Sequence, residues 1–225
     1  MLALEKAGTD VIELGFPFSD PLADGPTIQR ASEEALKHGV CTQDAFRLVS
    51  TLRKKGFRVP VLFFSYLNPV LQFGIKKIAS RLRAAGFDGI IIPDLTYDEG
   101  SEMEALFKQE ELSLIYLVAP TTSKNRMRKI ARHSNGFIYY VSLRGVTGAR
   151  NSLPNDLKEN LRTLRHETRK PILVGFGVSR PSQAREISRF SDGVIVGSAL
   201  VQLLEWKSAA KHVYTFASRL VKAMQ

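Results

Sequence analysis

The chain has 225 residues, 44% of them hydrophobic, enough to bury the core of one domain. Its net charge of +10 favours anionic partners, but the excess is scattered in short pieces such as "LRKKG" and "KNRMRK" without interleaved aromatics, which argues against a nucleic-acid platform. Cys41 is the single cysteine, so there is no disulfide framework; no apolar run approaches the roughly 20 residues of a membrane span, and a reducing cytoplasm is the expected home.

The opening "LALEKA" (2–7) reads as the end of a helix closed by Gly8. It runs into the first of seven β-rich stretches, at 10–15, 59–66, 89–94, 112–119, 136–143, 170–177 and 192–198. Between them the pattern predicts helices over 28–38 closed by Gly39, 43–55 closed by Gly56 with Thr42 as N-cap, and 75–85 closed by Gly86. Further helices are expected over 99–110, 124–133, 155–169 and 181–189, with a final region, 201–224, long enough for two. Short β-rich runs alternating with amphipathic segments predict an α/β protein of successive βα units on a parallel sheet. Runs apolar at consecutive positions, such as "GIIIP", belong to sheets covered on both faces, in a doubly wound sheet or a closed barrel. Strands that recur nearly to the C-terminus favour the barrel. No linker interrupts the rhythm, so one domain over 1–225 is expected. A βα repeat that opens on a helix implies that a preceding strand is absent, leaving seven.

Active sites of parallel α/β folds lie past the carboxyl ends of the strands. After the first strand comes "ELGFPFSDPLADGP" (13–26) with three carboxylates. Glu13 stands inside an apolar run, where burial would raise its pKa and suit it to general acid and base work; an outward-facing, ordinary Glu13 is the equal alternative. Asp20 and Asp24 also fit plain turn chemistry beside proline and glycine. Late in the chain, "RGVTGAR" (144–150), "GFGVS" (175–179) and "VGSAL" (196–200) follow successive strands and offer uncovered backbone N–H groups. Three such segments together suggest a phosphate cradle, with Gly177, Gly197 and Ser198 where barrels often bind phosphate. The four histidines stand singly in polar helical contexts, and no metal site is expected.

With "ELGFPFSDPLADGPTIQ", "SYLNP" (65–69), "PDL" (93–95), "GVTGAR" and "VGFGVS…GVIVGSA" in this order, the chain resembles the tryptophan synthase alpha chain family from about residue 1 to its C-terminus. The resemblance implies a TIM (βα)8 barrel, here with the first helix and first strand apparently absent. It implies a lyase that splits indole-3-glycerol phosphate, by a retro-aldol step, into indole and glyceraldehyde 3-phosphate in tryptophan biosynthesis. The family's acid/base glutamate falls on Glu13, and the carboxylate beside the indole N–H falls on Asp24. Its phosphate contacts carry over to Gly148, Gly177, Gly197 and Ser198. Phe64, Tyr66, Ile91, Tyr139 and Phe176 correspond to the lining of the indole pocket, Thr147 to a closing loop, and Asp20 to the partner-facing segment. The implied partner is a tryptophan synthase beta chain in an alpha2-beta2 heterotetramer, which carries pyridoxal phosphate while this chain needs no cofactor. A catalytically impaired subunit that binds and activates the beta chain is the alternative. The sequence departs from the family's pattern at Thr96, where proline is usual, and at Leu143 and Arg144 before the loop motif.

Overall fold

A computed structural model describes residues 1–141, 155–175 and 177–225, with the backbone alone at 155 and 156. Its contacts divide into two compact units, Met1–Leu114 and Ile115–Gln225.

In the first unit, α1 (Leu2–Ala7) ends as expected on Gly8, whose φ of 87° is left-handed. β1 (Ile12–Gly15) follows, then α2 (Pro26–Lys37), which starts two residues before the expected point. Pro26 explains the shift, because its fixed φ and missing N–H suit the first helical position. α3 (Thr42–Lys54) is capped by Cys41 rather than Thr42: the Asp44 carboxylate accepts the Cys41 N–H at 2.9 Å. β2 (Val61–Phe64) leads into α4 (Leu67–Phe73), a short helix that the sequence pattern did not announce. α5 (Ile75–Ala85), β3 (Gly89–Ile91), α6 (Ser101–Gln109) and β4 (Ser113–Ile115) complete the set. The sheet runs β1-β2-β3-β4, with Ile12 opposite Val61 and Leu62 opposite Gly89 in parallel register. On one face, Phe63 packs edge-on against Phe87 at 5.7 Å, and both contact Phe46 of α3 at 6.4 Å. Each buried ring of this kind contributes about 1.5–3 kcal/mol.

The second unit opens on β5 (Leu117–Val118) and continues through α7 (Lys124–His133), β6 (Ile138–Val141), α8 (Asn155–Glu167), β7 (Ile172–Gly175), α9 (Pro181–Ser188) and β8 (Gly193–Ile195). It ends with α10 (Ser198–Leu204) and α11 (Ala209–Met224), so the final helical region is indeed two helices. Its strands run β5-β6-β7-β8 and pair in parallel over a core of Ile138, Tyr140, Leu161, Leu164, Ile172, Val174, Ala184 and Ile187.

The described residues hold eight strands, not seven. The expected 112–119 strand is two, β4 and β5, broken at Tyr116. There the backbone N–H leaves the strand pattern and donates to the Ser134 hydroxyl at 3.2 Å, while that hydroxyl donates to the Phe137 carbonyl at 2.8 Å.

One fastening occurs in both units. The Asp88 carboxylate, just before β3, accepts the N–H of Val61 at the start of β2 and the Arg53 guanidinium, both at 2.7 Å. Asp192, just before β8, accepts the N–H of Ile172 at the start of β7 at 2.7 Å and pairs with Arg165. In each case the arginine comes from the helix before the stapled strand, and the aspartate N–H returns a bond to the same strand's first carbonyl, at 2.9 and 3.0 Å. A charge-assisted acceptor thereby satisfies a strand-end amide that no ladder partner reaches.

Candidate active site

Parallel register sorts the first sheet into faces. Phe63 lies on the face that meets Phe46 and Phe87, so its neighbours in sequence, Leu62 and Phe64, lie on the other. Register then places Glu13, Leu62 and Gly89 in one row of that second face, and Gly15, Phe64 and Ile91 in the row nearer the carboxyl ends. Glu13 is half-buried, and its carboxyl has no hydrogen bond or ion pair among the described residues. Desolvation without compensation pushes its pKa up to about 8. The structure therefore favours the desolvated Glu13 over an ordinary outward-facing one.

Asp24 stands in the loop between β1 and α2, and is tied to Tyr66 at the start of α4. The Tyr66 hydroxyl donates to Asp24 Oδ2 at 2.9 Å and accepts the Ala23 N–H at 2.9 Å. Burial raises the Asp24 pKa while the Tyr66 bond opposes the shift; burial and the facing carboxylate push the Tyr66 phenol upward. Asp20 lies in the exposed part of the same loop, hydrogen-bonded to Ser19.

In the second unit, Tyr139 of β6 lies over Gly175 of β7: a Cβ there would come within 2.8 Å of ring atom Cε2. Gly177 and Gly197 each stand two residues past the ends of β7 and β8, whose terminal residues Gly175 and Ile195 are partners in register. Both glycines and Ser198 are exposed, Gly177 has a φ of +64°, and Ser198 opens α10, in which the Leu200 and Val201 N–H groups already donate to the Gly197 carbonyl. Gly148, Thr147 and Phe176, like Leu143 and Arg144, lie outside the described residues.

Sequence reasoning missed the residues that hold this machinery. Gln29 of α2 donates to the Asp24 carbonyl at 3.0 Å. Ser32 of α2 accepts the Phe18 N–H at 2.8 Å and donates to the Phe18 carbonyl at 3.1 Å. Asp94 accepts the N–H of Leu67, the first residue of α4, at 2.9 Å. Gln29 and Asp94 stood within the motifs "ELGFPFSDPLADGPTIQ" and "PDL" without a role of their own, and Ser32 showed only its place on the helix face three residues past Gln29. Among the described residues no group of three or more His, Cys, Asp or Glu could hold a metal ion, and no helix is long and apolar enough to cross a membrane.

A desolvated carboxyl on β1 and a second carboxylate in the loop that follows it are the equipment of an α/β enzyme that works by acid and base chemistry. The family model of the tryptophan synthase alpha chain matches residues 1–225. The tryptophan synthase alpha chain of Chloroflexus aggregans is 46% identical over 211 residues, which is 94% of this chain and 79% of that one. The solved tryptophan synthase subunit alpha of Legionella pneumophila superposes with a TM-score of 0.91 at 38% identity, covering 100% of this chain and 85% of that one. Tryptophan synthase from M. tuberculosis, in an aminoacrylate- and BRD0059-bound form, superposes at 0.88 and 35% identity, covering 99% and 84%. The chain belongs to the tryptophan synthase alpha chain family, lyases of the α/β-barrel fold class that cleave indole-3-glycerol phosphate in tryptophan biosynthesis.

Proposed function

We propose that this chain performs the cleavage as a retro-aldol reaction, with Glu13 as acid and base and Asp24 as the electrostatic partner of the indole N–H. Glu13 gives its proton to the ring carbon that bears the glycerol chain, leaving a positive charge shared with the ring nitrogen. It then takes the proton of the adjacent hydroxyl. The carbon–carbon bond breaks, its electron pair returns to the ring, and indole and glyceraldehyde 3-phosphate leave with the proton count unchanged. The Asp24 carboxylate stabilises the cation formed in between. The observation that carries this reading is the uncompensated desolvation of Glu13, which keeps its carboxyl protonated near neutral pH and ready to donate.

The same reading gives the substrate phosphate to Gly177, Gly197 and Ser198, with Gly148, and the indole ring to Phe64, Tyr66, Ile91, Tyr139 and Phe176 under a loop containing Thr147. The exposure of the first three supports it. A single domain, a cytoplasmic location, no cofactor in this chain, and a pyridoxal-phosphate beta chain as partner in an alpha2-beta2 assembly complete it. The partner is supported by the likeness to the M. tuberculosis synthase. Indole release from indole-3-glycerol phosphate, with and without a beta chain, tests the proposal: wild type should turn over and Glu13→Gln should lose at least about a thousandfold. A folded wild type without turnover would sink it, and stimulation of the beta chain by that same protein would mark a binding subunit instead.

A further inference from the structure

The loop that carries Asp24 is packed at its start, where Phe16 and Phe18 meet Phe63 and Tyr66, but hardly at all beside Asp24 itself. α2, which follows it, has no fully buried residue, and Leu22 and Ala23 within the loop are exposed. Polar bonds hold that part instead, and they converge on Asp24 from two sides. The Tyr66 hydroxyl takes the Ala23 N–H on its lone pair, so its one proton is committed to Asp24 Oδ2. The Gln29 amide donates to the Asp24 carbonyl, fixing the backbone of the same residue.

Tyr66 is itself a rigid support. It is 4% exposed, its ring packs on Phe18 at 5.3 Å, and the helix that it opens is fastened at Leu67 by Asp94 beyond β3. Phe18 is gripped in turn at both backbone groups by Ser32. A carboxylate on a mobile loop stabilises charge poorly, because it must reorganise as the charge develops; one aimed beforehand does not.

We propose that Tyr66 and Gln29 are positioning residues which clamp the loop at Asp24 and aim its carboxylate. The clamp gives Tyr66 a role through its hydroxyl that lining a pocket does not require, and gives Gln29 a role where it had none. The catalytic part of the inference rests on the function proposed for Asp24; the clamp itself does not.

Tyr66→Phe keeps the ring and removes the hydroxyl, while Gln29→Ala removes a side chain that supports no core. Amide exchange over residues 19–26 of the full chain reads the clamp directly. Exchange at Ala23 should quicken at least about tenfold in Tyr66→Phe, with β2 unchanged, and the 19–26 segment should also quicken in Gln29→Ala. In steady-state cleavage Tyr66→Phe should lower kcat about tenfold with KM little altered, and should cost less than twofold when added to Asp24→Asn. Unchanged Ala23 exchange, or losses that multiply in full with Asp24→Asn, would overturn the clamp. Should Glu13→Gln keep its turnover, the proposed function falls instead, and the exchange measurement still decides whether Tyr66 and Gln29 hold the loop.

Discussion

Gly89 runs so close to Ser113 that a Cβ on it would stand 2.4 Å from the Ser113 carbonyl oxygen, and 3.0 Å from the Leu62 side chain. The obstacle is backbone of the adjoining strand, so relief requires β3 and β4 to part. Gly89→Ala should therefore destabilise the fold by about 2–4 kcal/mol, as overpacking of a rigid site does. Urea unfolding checks this, and a midpoint within experimental error of wild type would show that the two strands can give.

The paired fastenings differ in how much each arginine carries. Besides Asp88, Arg53 donates to the carbonyls of Gly86, Phe57 and Val59 at 2.9, 3.1 and 2.9 Å. Arg165, besides Asp192, reaches only the Lys170 carbonyl, at 3.5 Å, among the bonds described. Arg53→Ala should cost about 2–3 kcal/mol, and Arg165→Ala under about 1 kcal/mol, since its exposed ion pair is screened by water. Equal losses from the two variants in denaturant titrations would contradict the difference.

How much of this was legible in the sequence depends on the reach of each interaction. Gly8, Gly39, Gly56 and Gly86 all adopt positive φ, and the helices that they close were readable because a left-handed residue is a local requirement. Glu13 was readable as a carboxylate in an apolar run, but whether it faced inward needed the register with Leu62. α4 was missed because "NP" reads as a turn; Pro69 sits in its first turn, where no N–H is needed, and its start is fixed by Asp94, 27 residues away. The Tyr66 bond to Ala23 spans 43 residues, and the break at Tyr116 depends on Ser134. Such side-chain bonds between distant segments leave no periodic trace.

Gly175→Ala tests the site rather than the fold. The new methyl would meet the Tyr139 ring at 2.8 Å from Cε2 and 3.1 Å from the hydroxyl. Tyr139 is half-buried, so the ring has room to swing and stability should fall by only about 1 kcal/mol. If Tyr139 walls the indole pocket, the swing should raise KM for indole-3-glycerol phosphate about tenfold or more. A variant with wild-type KM would remove Tyr139 from that wall.

The raised pKa of Glu13 makes a prediction for activity and stability together. If Glu13 donates the proton as proposed, kcat/KM should decline as pH rises through about 8. For stability the folded-state pKa lies above the unfolded value of 4.5, so the folded protein holds a proton that the unfolded chain has already released. The resulting stabilisation is complete below pH 4.5, is lost progressively as pH rises towards 8, and changes no further above it. Glu13→Gln keeps the shape without the charge and lacks this slope. Relative to wild type, it should gain stability on the order of 4 kcal/mol between pH 5 and 8.5, at about 1.4 kcal/mol for each pH unit between the two pKa values. Denaturant titrations of both proteins across that range decide it. A stability difference that stays flat with pH would return Glu13 to an ordinary hydrated carboxylate, and the acid role with it.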